Sequence, residues 1–303
     1  MTIKQTYNMF LRCWSVYCSF ETLRSYEGHL KIFFNYLETV GGKSIDELSF
    51  QDFGNTPLYS DFIIYLRKKE IKNVTIRSYC RIAKAYLRYC YQNDLCIDYL
   101  KGVRLPPDDS HPKIVLYADE VQKIDLCFDM LTKKGRRNYC IFHLMLDCGL
   151  RSQEVRHLRY ENIDRERNIL HILDSKGCKS RITLIPDFLI QEIDNYMRLC
   201  AREPSGFLFL SLRNNQPMSK NSLKELFTKL KKEAGINRLH AHLLRHTFAT
   251  SYLVGGGNLE FLRVFMGHSD YNVTKLYSQL AAESKMLGVK IYQLDPIFFE
   301  KGY

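Results

Sequence analysis

The chain has 303 residues, 46% hydrophobic and 25% charged, proportions of a soluble globular protein long enough for two domains with a core each. Its 44 lysines and arginines against 33 acids leave a net charge of +11, and both parts are basic when the chain is divided at Leu105. A surplus spread over both parts points to a polyanion that both touch, nucleic acid before a membrane surface, and argues against a single basic tail.

In chain order, residues 6–18 read as helical. From Glu21 to Glu38 the apolar positions Leu23, Tyr26, Leu30, Phe33 and Leu37 follow a helical spacing that ends at Gly41-Gly42. Pro57, at a first-turn position, opens a helix with Leu58, Phe62, Tyr65 and Leu66 on one side. The segment Asn73–Gln92 is the most informative of this region. Ile76, Tyr79, Cys80, Ala83, Leu87 and Cys90 form its apolar face, while Arg77, Arg81, Lys84 and Arg88 recur at helical spacing on another. No acid occurs between Glu70 and Asp94 to neutralise that stripe. A charged stripe is usually a solvated face, but one of a single sign without acids suits phosphates, so Arg77, Arg81, Lys84 and Arg88 are the candidate DNA contacts.

Residues 106–112, with Pro106, Pro107 and Pro112, break every periodicity and read as a linker between domains 1–105 and 113–303. Beyond it, helices are expected near Ala118–Leu131 and Arg137–Cys148, with Gly149 as the stop. GLRSQE follows, placing Arg151 at the start of a short helix and Glu154 three residues on. Two strand-like runs, Asn168–Leu173 and Arg181–Ile185, flank DSKGCKS and predict a hairpin with Lys176 and Lys179 at its tip. Helices at 187–200 and Ser219–Lys232 lead to the stretch His242–Tyr277, two helices separated by Gly255–Gly257. His242 and Arg245 stand three apart and would share a face of an otherwise apolar helix. A tail, 285–303, closes the chain.

The ten cysteines include no CxxC pair and sit mostly among apolar residues, the pattern of reduced core thiols. No apolar run reaches the ~18 residues of a membrane span, and MTIKQTYNMF lacks a signal-peptide core, so a cytoplasmic protein is expected. Phosphate loops, GxGxxG, GxSxG and paired carboxylates for two magnesium ions are absent. His242 and His246 have a metal-ligand spacing, but without the glutamate of HExxH zinc is not expected, and His246 reads as a structural or supporting residue. What remains is two arginines, histidines, a lysine and a tyrosine, a set suited to phosphoryl transfer without metal or other cofactor. Two guanidinium groups can grip the non-bridging oxygens of a phosphodiester. A tyrosine hydroxyl, with a free pKa near ~10, needs a base or a cationic field before it attacks.

GLRSQE, SKG, HLLRHTFAT and GHSDYNVTKLY resemble, in order and spacing, the boxes of the tyrosine recombinase (phage integrase) family. The family's two arginines match Arg151 and Arg245, its hairpin lysine Lys176, its histidine His242, its later histidine or tryptophan His268, its acid Glu154 and its nucleophile Tyr277. The resemblance implies a mainly α protein. Residues 1–105 would be a SAM-like helical-bundle core-binding domain. Residues 113–303 would be an α-rich catalytic domain with a small antiparallel β-hairpin, the DNA breaking-rejoining enzyme fold. It further implies that Arg151, Arg245 and His268 bind the scissile phosphate and that Tyr277 forms a 3′-phosphotyrosyl link. Lys176 would protonate the leaving 5′-hydroxyl, with Lys179 as a competitor, His242 would assist as base or acid, and Glu154 would orient its neighbours. Four protomers would synapse two duplexes through a Holliday junction, with the tail Ile291–Phe299 docked on a neighbour. A second recombinase or directionality factor is a possible partner.

The hairpin DSKGCKSR and the pair Ser278-Gln279 depart from the Xer-type pattern, and no arm-binding domain of the lambda-integrase type is expected. Integration or excision of a mobile element is therefore placed ahead of Xer-type dimer resolution. A type IB topoisomerase and a non-catalytic DNA-binding regulator are the remaining alternatives.

Overall fold

The computed structural model describes residues 1–106, 115–173, 180–203, 205–211, 214–268, 271–288 and 290–300. The chain divides into two compact units, Met1–His111 and Pro112–Tyr303.

The first unit is a four-helix cluster, α1 (Ile3–Ser15), α2 (Phe20–Gly41), α3 (Leu58–Arg67) and α4 (Asn73–Gln92). Thr2 and Gln5 open α1 with a reciprocal capping box, which satisfies two backbone donors of its first turn. Gly42, in the left-handed conformation at φ 67°, closes α2. The core between the helices is aromatic. Phe33 meets Phe62 edge-on at 4.9 Å between centroids, and Phe34 meets Tyr86 likewise at 5.5 Å. Each such contact adds roughly 0.5–1.5 kcal/mol to the burial of the rings. The Tyr86 hydroxyl, wholly buried, finds partners in Thr6 and the Ile3 carbonyl, so this polar tip costs little.

The second unit contains α5 (Ala118–Asp125), α6 (Lys133–Asp147), α7 (Ser152–His157), α8 (Asp187–Cys200) and α9 (Lys220–Ala234). It continues with α10 (Ala241–Val254), α11 (Leu259–Met266), α12 (Tyr271–Met286) and α13 (Ile297–Glu300). The two expected strands form as β2 (Ile169–Ile172) and β3 (Arg181–Leu184), antiparallel, with Ile169 opposite Leu184 and Ile172 opposite Arg181. A further strand, β1 (Ile163–Asp164), pairs with β2, giving a three-stranded sheet in the order β1-β2-β3. Two residues are too few to show a period of two, so β1 left no mark on the pattern. The stretch His242–Tyr277, expected as two helices, draws on three, because Gly267 ends α11 before α12 begins, and two helix limits also differ from expectation. The helix from Ala118 ends at Asp125 and not Leu131, and α6 begins four residues before Arg137. The Thr132 hydroxyl accepts the Gly135 amide at 3.0 Å and caps α6, so Leu126–Leu131 serve as the turn between two helices.

Helix α6 is buried on nearly every side, as a central core helix must be, yet it carries His143 and Asp147 inward. The His143 Nδ1 lies 2.7 Å from Asp147 and its Nε2 3.0 Å from Asp125. Both partners accept, so both ring nitrogens donate only in the imidazolium form. Burial opposes that charge, but the two carboxylates outweigh it and raise the His143 pKa to about 9. The Tyr292 hydroxyl donates to the other Asp147 oxygen at 2.8 Å. That bond ties the tail to the core. Ile291 bridges to Tyr117, and Leu294 and Phe298 join Phe248, Tyr252 and Phe265 in one apolar cluster. The resemblance sends this tail to a neighbouring protomer in the synapse; within the single chain it packs on its own unit, where Phe248 and Tyr252 offer an apolar face.

The charged cluster makes stability depend on pH. His143 is raised in the folded state above its unfolded value near ~6.5, so its contribution is complete below that pH and is lost as pH rises through about 9. His143→Ala, which strands Asp147 without its cation, should cost about 3–5 kcal/mol in denaturant unfolding at pH 6. The gap to wild type should narrow as pH rises towards 9, and a gap that stays constant would contradict the paired imidazolium.

Candidate active site

Arg245 lies one turn into α10 and is 5% exposed, so its guanidinium must find acceptors inside the protein. Its Nη1 donates to the Gly149 carbonyl and its Nη2 to the Met266 carbonyl, the latter nitrogen also lying 3.4 Å from His268 Nε2. Gly149, at φ 66°, turns the chain at the end of α6, and a Cβ there would enter the ring of Phe248 on α10. Glycine is thus what lets that carbonyl approach α10. Burial first, then the cations Arg151 and Arg181, pull the Arg245 pKa down to about 9.

Arg151 stands at the N-terminus of α7. The Glu154 carboxylate accepts the Arg151 amide at 2.6 Å, the Arg151 guanidinium at 3.0 Å and Arg181 Nη2 at 2.9 Å. Arg151 Nη2 reaches the Gly267 carbonyl at 3.1 Å, and Arg181 Nε reaches that of Phe265 at 2.8 Å. Three consecutive carbonyls, Phe265, Met266 and Gly267, therefore hold three arginines. They are the last carbonyls of α11, which lack partners within the helix and sit at the negative end of its dipole. Glu154 thus ties Arg151 to Arg181. Arg181 was missed as a site residue, since in sequence it is one cation at a strand edge.

The chain leaves α11 through Gly267 at φ 58°, and His268 follows. Its Nδ1 meets the buried Thr274 hydroxyl at 3.0 Å. Guanidinium only donates, so Nε2 accepts from Arg245 and the Nδ1 proton goes to Thr274. Tyr277, on α12, is 2% exposed, and its ring lies parallel to that of His268 with centroids 6.3 Å apart. Its hydroxyl is 2.7 Å from His246 Nδ1. Burial raises the Tyr277 pKa to about 12, against the opposing pull of Arg245 and Arg151. Gly256, at φ 98°, and Gly257, packed under the Tyr252 ring, make the turn between α10 and α11.

His242 is exposed in the first turn of α10, whereas Arg245 points inward, so the shared face expected of them spans the protein surface and its interior. The His242 pKa is lowered by desolvation and by His240, Arg245 and Arg151; for an exposed ring the cations are the better physical account. Lys176 and Lys179 lie outside the described residues. The structure thus brings together Arg151, Glu154, Arg245, His268 and Tyr277, with His242 at the rim, and adds Arg181 and His246. Three guanidinium groups against one carboxylate leave a net positive charge, and the Tyr277 phenol lies within its field. Among the described residues no group of three or more His, Cys, Asp or Glu is placed to hold a metal.

In the first unit, α4 buries Ile76, Cys80, Ala83 and Leu87. Of the stripe, Arg81 and Arg88 are exposed, while Arg77 and Lys84 are half-buried. Arg77 also donates to the Pro106 carbonyl at 2.5 Å, a structural task as the chain leaves that unit.

Residues 115–284 match the phage integrase family, and residues 15–100 match the phage integrase SAM-like domain. The tyrosine recombinase XerA of Pyrococcus furiosus is 30% identical over 87% of this chain and 92% of its own length. XerC of Bacillus licheniformis is 26% identical over 86% of each chain. A tyrosine recombinase of Pseudothermotoga lettingae is 32% identical over 61% of this chain, which spans 63% of that relative's length. Among solved structures, the Tn1549 transposon integrase in complex with a circular-intermediate DNA superposes with a TM-score of 0.72 at 21% identity, over 95% of this chain and 100% of that one. The XerH recombinase bound to palindromic difH substrate reaches 0.70 at 18% identity, over 88% and 78%. The fold is theirs, a largely helical one with a small antiparallel sheet. By the match over most of its second unit and the likeness to XerA over 87% of its length, the chain belongs to the phage integrase family and is a tyrosine recombinase.

Proposed function

We propose that this chain cuts and rejoins double-stranded DNA at a specific site, without metal, through a 3′-phosphotyrosyl intermediate at Tyr277. The observation that carries this reading is the convergence of Arg151, Arg245 and His268, from three separate segments, around the Tyr277 ring. Arg245 is held rigidly by two carbonyls, so it offers its remaining donors to a phosphate with little reorganisation. Arg151, half-exposed and steadied by Glu154, supplies a second grip from the solvent side. As Tyr277 attacks phosphorus, charge grows on the non-bridging oxygens, where donors of this kind are each worth roughly 10²–10³ in rate. The P–O5′ bond breaks and the leaving oxygen takes a proton, assigned to Lys176, with His242 assisting as base or acid. Attack by a partner strand's 5′-hydroxyl reverses the step, so the bond energy is kept and no nucleotide cofactor is consumed.

Residues 1–105 serve as the core-binding domain and 113–303 as the catalytic domain in this reading. The Tn1549 integrase and XerH structures are DNA complexes, which supports duplex DNA as the partner. Four protomers would then assemble on two duplexes, with a second recombinase or a directionality factor as accessory partner. Integration or excision of a mobile element is our first assignment. Xer-type dimer resolution is the second, favoured by the XerA and XerC relatives.

On a nicked suicide duplex the wild-type protein should trap itself as a covalent adduct, and Tyr277→Phe should abolish the adduct while leaving DNA binding intact. An adduct that survives the substitution would move the nucleophile elsewhere, and supercoil relaxation with no recombinant product would favour a topoisomerase. Neutralising Arg81 or Arg88 with glutamine should lower the salt slope of DNA binding by about one unit. An unchanged slope would return the stripe to a solvated face.

A further inference from the structure

Tyr277 must shed its hydroxyl proton as it attacks, and three facts constrain where that proton goes. The ring is 2% exposed, so bulk water has little access to it. Burial raises its pKa to about 12, so the phenol is neutral at physiological pH and ionises only with help. Its hydroxyl already sits in hydrogen-bond range of His246 Nδ1, at 2.7 Å, a nitrogen that accepts when the ring proton is on Nε2. The rings are tilted by 44° with centroids 5.6 Å apart, so they meet through the hydroxyl and not by stacking.

We propose that His246 is the catalytic base that takes the Tyr277 proton during strand cleavage and returns it on rejoining. The inference rests on the reading of Tyr277 as nucleophile. Its geometry follows from helix α10. His246 is the residue after Arg245, so the helix that fixes one phosphate-gripping cation fixes the base as well. The step balances. In cleavage the Oη–H bond breaks and Nδ1–H forms, Oη–P forms and P–O5′ breaks, and the 5′-oxygen draws its proton from the leaving-group side. In rejoining the 5′-hydroxyl attacks, giving its proton back to the leaving-group side as O5′–P forms, the Oη–P bond breaks, and Oη recovers the proton from Nδ1. Cleavage requires the His246 tautomer with its proton on Nε2. His242, exposed at the rim, then works with Lys176 on the leaving group, and the two histidines of α10 divide base and acid duties between them.

The rival role for His246 is that of a bystander that merely packs Tyr277, and single-turnover cleavage separates the two. Two nicked suicide duplexes are used, one with the ordinary 5′-bridging oxygen at the scissile phosphate and one with sulfur there, which leaves as thiolate without needing a proton. His246→Asn can still hydrogen-bond the phenol but cannot carry its proton, and His246→Ala removes the contact. Both should bind DNA normally and form the Tyr277 adduct at least about 100-fold more slowly than wild type on both duplexes. Their residual rates should climb with pH through the range where wild type is already level. His246→Asn cleaving at the wild-type rate, or restoration of the variants by sulfur, would overturn the proposal. Should His246→Ala fail to fold, His246→Asn decides the matter alone. Absence of a Tyr277 adduct in the wild-type protein would instead count against the recombinase mechanism itself.

Discussion

The C-terminal end of α11 holds this site together. Arginines brought near one another repel, and here Arg151, Arg181 and Arg245 come from α7, β3 and α10 to one place. They are kept there by the carbonyls of Phe265, Met266 and Gly267 and by the single carboxylate of Glu154. A helix terminus suits the purpose, since its last carbonyls need partners and carry the negative end of the dipole. The arrangement leaves excess positive charge that an incoming phosphate would neutralise. Gly267 makes it possible sterically, because a side chain at that left-handed position would meet Arg181 and Arg151.

From that anchor the remaining parts fall into place. His268 follows the last carbonyl directly and is aligned by Thr274. Helix α12 then lays Tyr277 alongside it, within the field of Arg245 and Arg151 yet in an apolar cluster with Leu262, Phe265 and Phe298. The tail lies on the same cluster, with Phe299 against Gly255 in the turn that precedes α11. Far across the core, the buried His143–Asp147–Tyr292 chain fastens the same tail to α6.

Much of this was legible in the sequence because helices announce themselves by spacing and the site residues fall in ordered boxes. The helices from Phe20, Leu58 and Asn73 follow directly from apolar periodicity, and β2 and β3 from two short strand-like runs on either side of a glycine turn. What escaped depended on contacts between distant segments. Arg181 looks like any strand-edge cation until Glu154 and Phe265 fold against it. His246 carries no local signal that separates it from a structural histidine, since its partner is 31 residues away on another helix. The early start of α6 hung on one Thr132 hydroxyl, and the tail's docking on an apolar face assembled from α10 and α11.

The central claim is that the buried phenol of Tyr277, and no other group, becomes joined to DNA. Mass spectrometry of the nuclease-trimmed, trypsin-digested adduct tests it most directly. The account predicts a nucleotide remnant on the peptide Leu276–Lys285, attached at Tyr277. A remnant on any other peptide would contradict it.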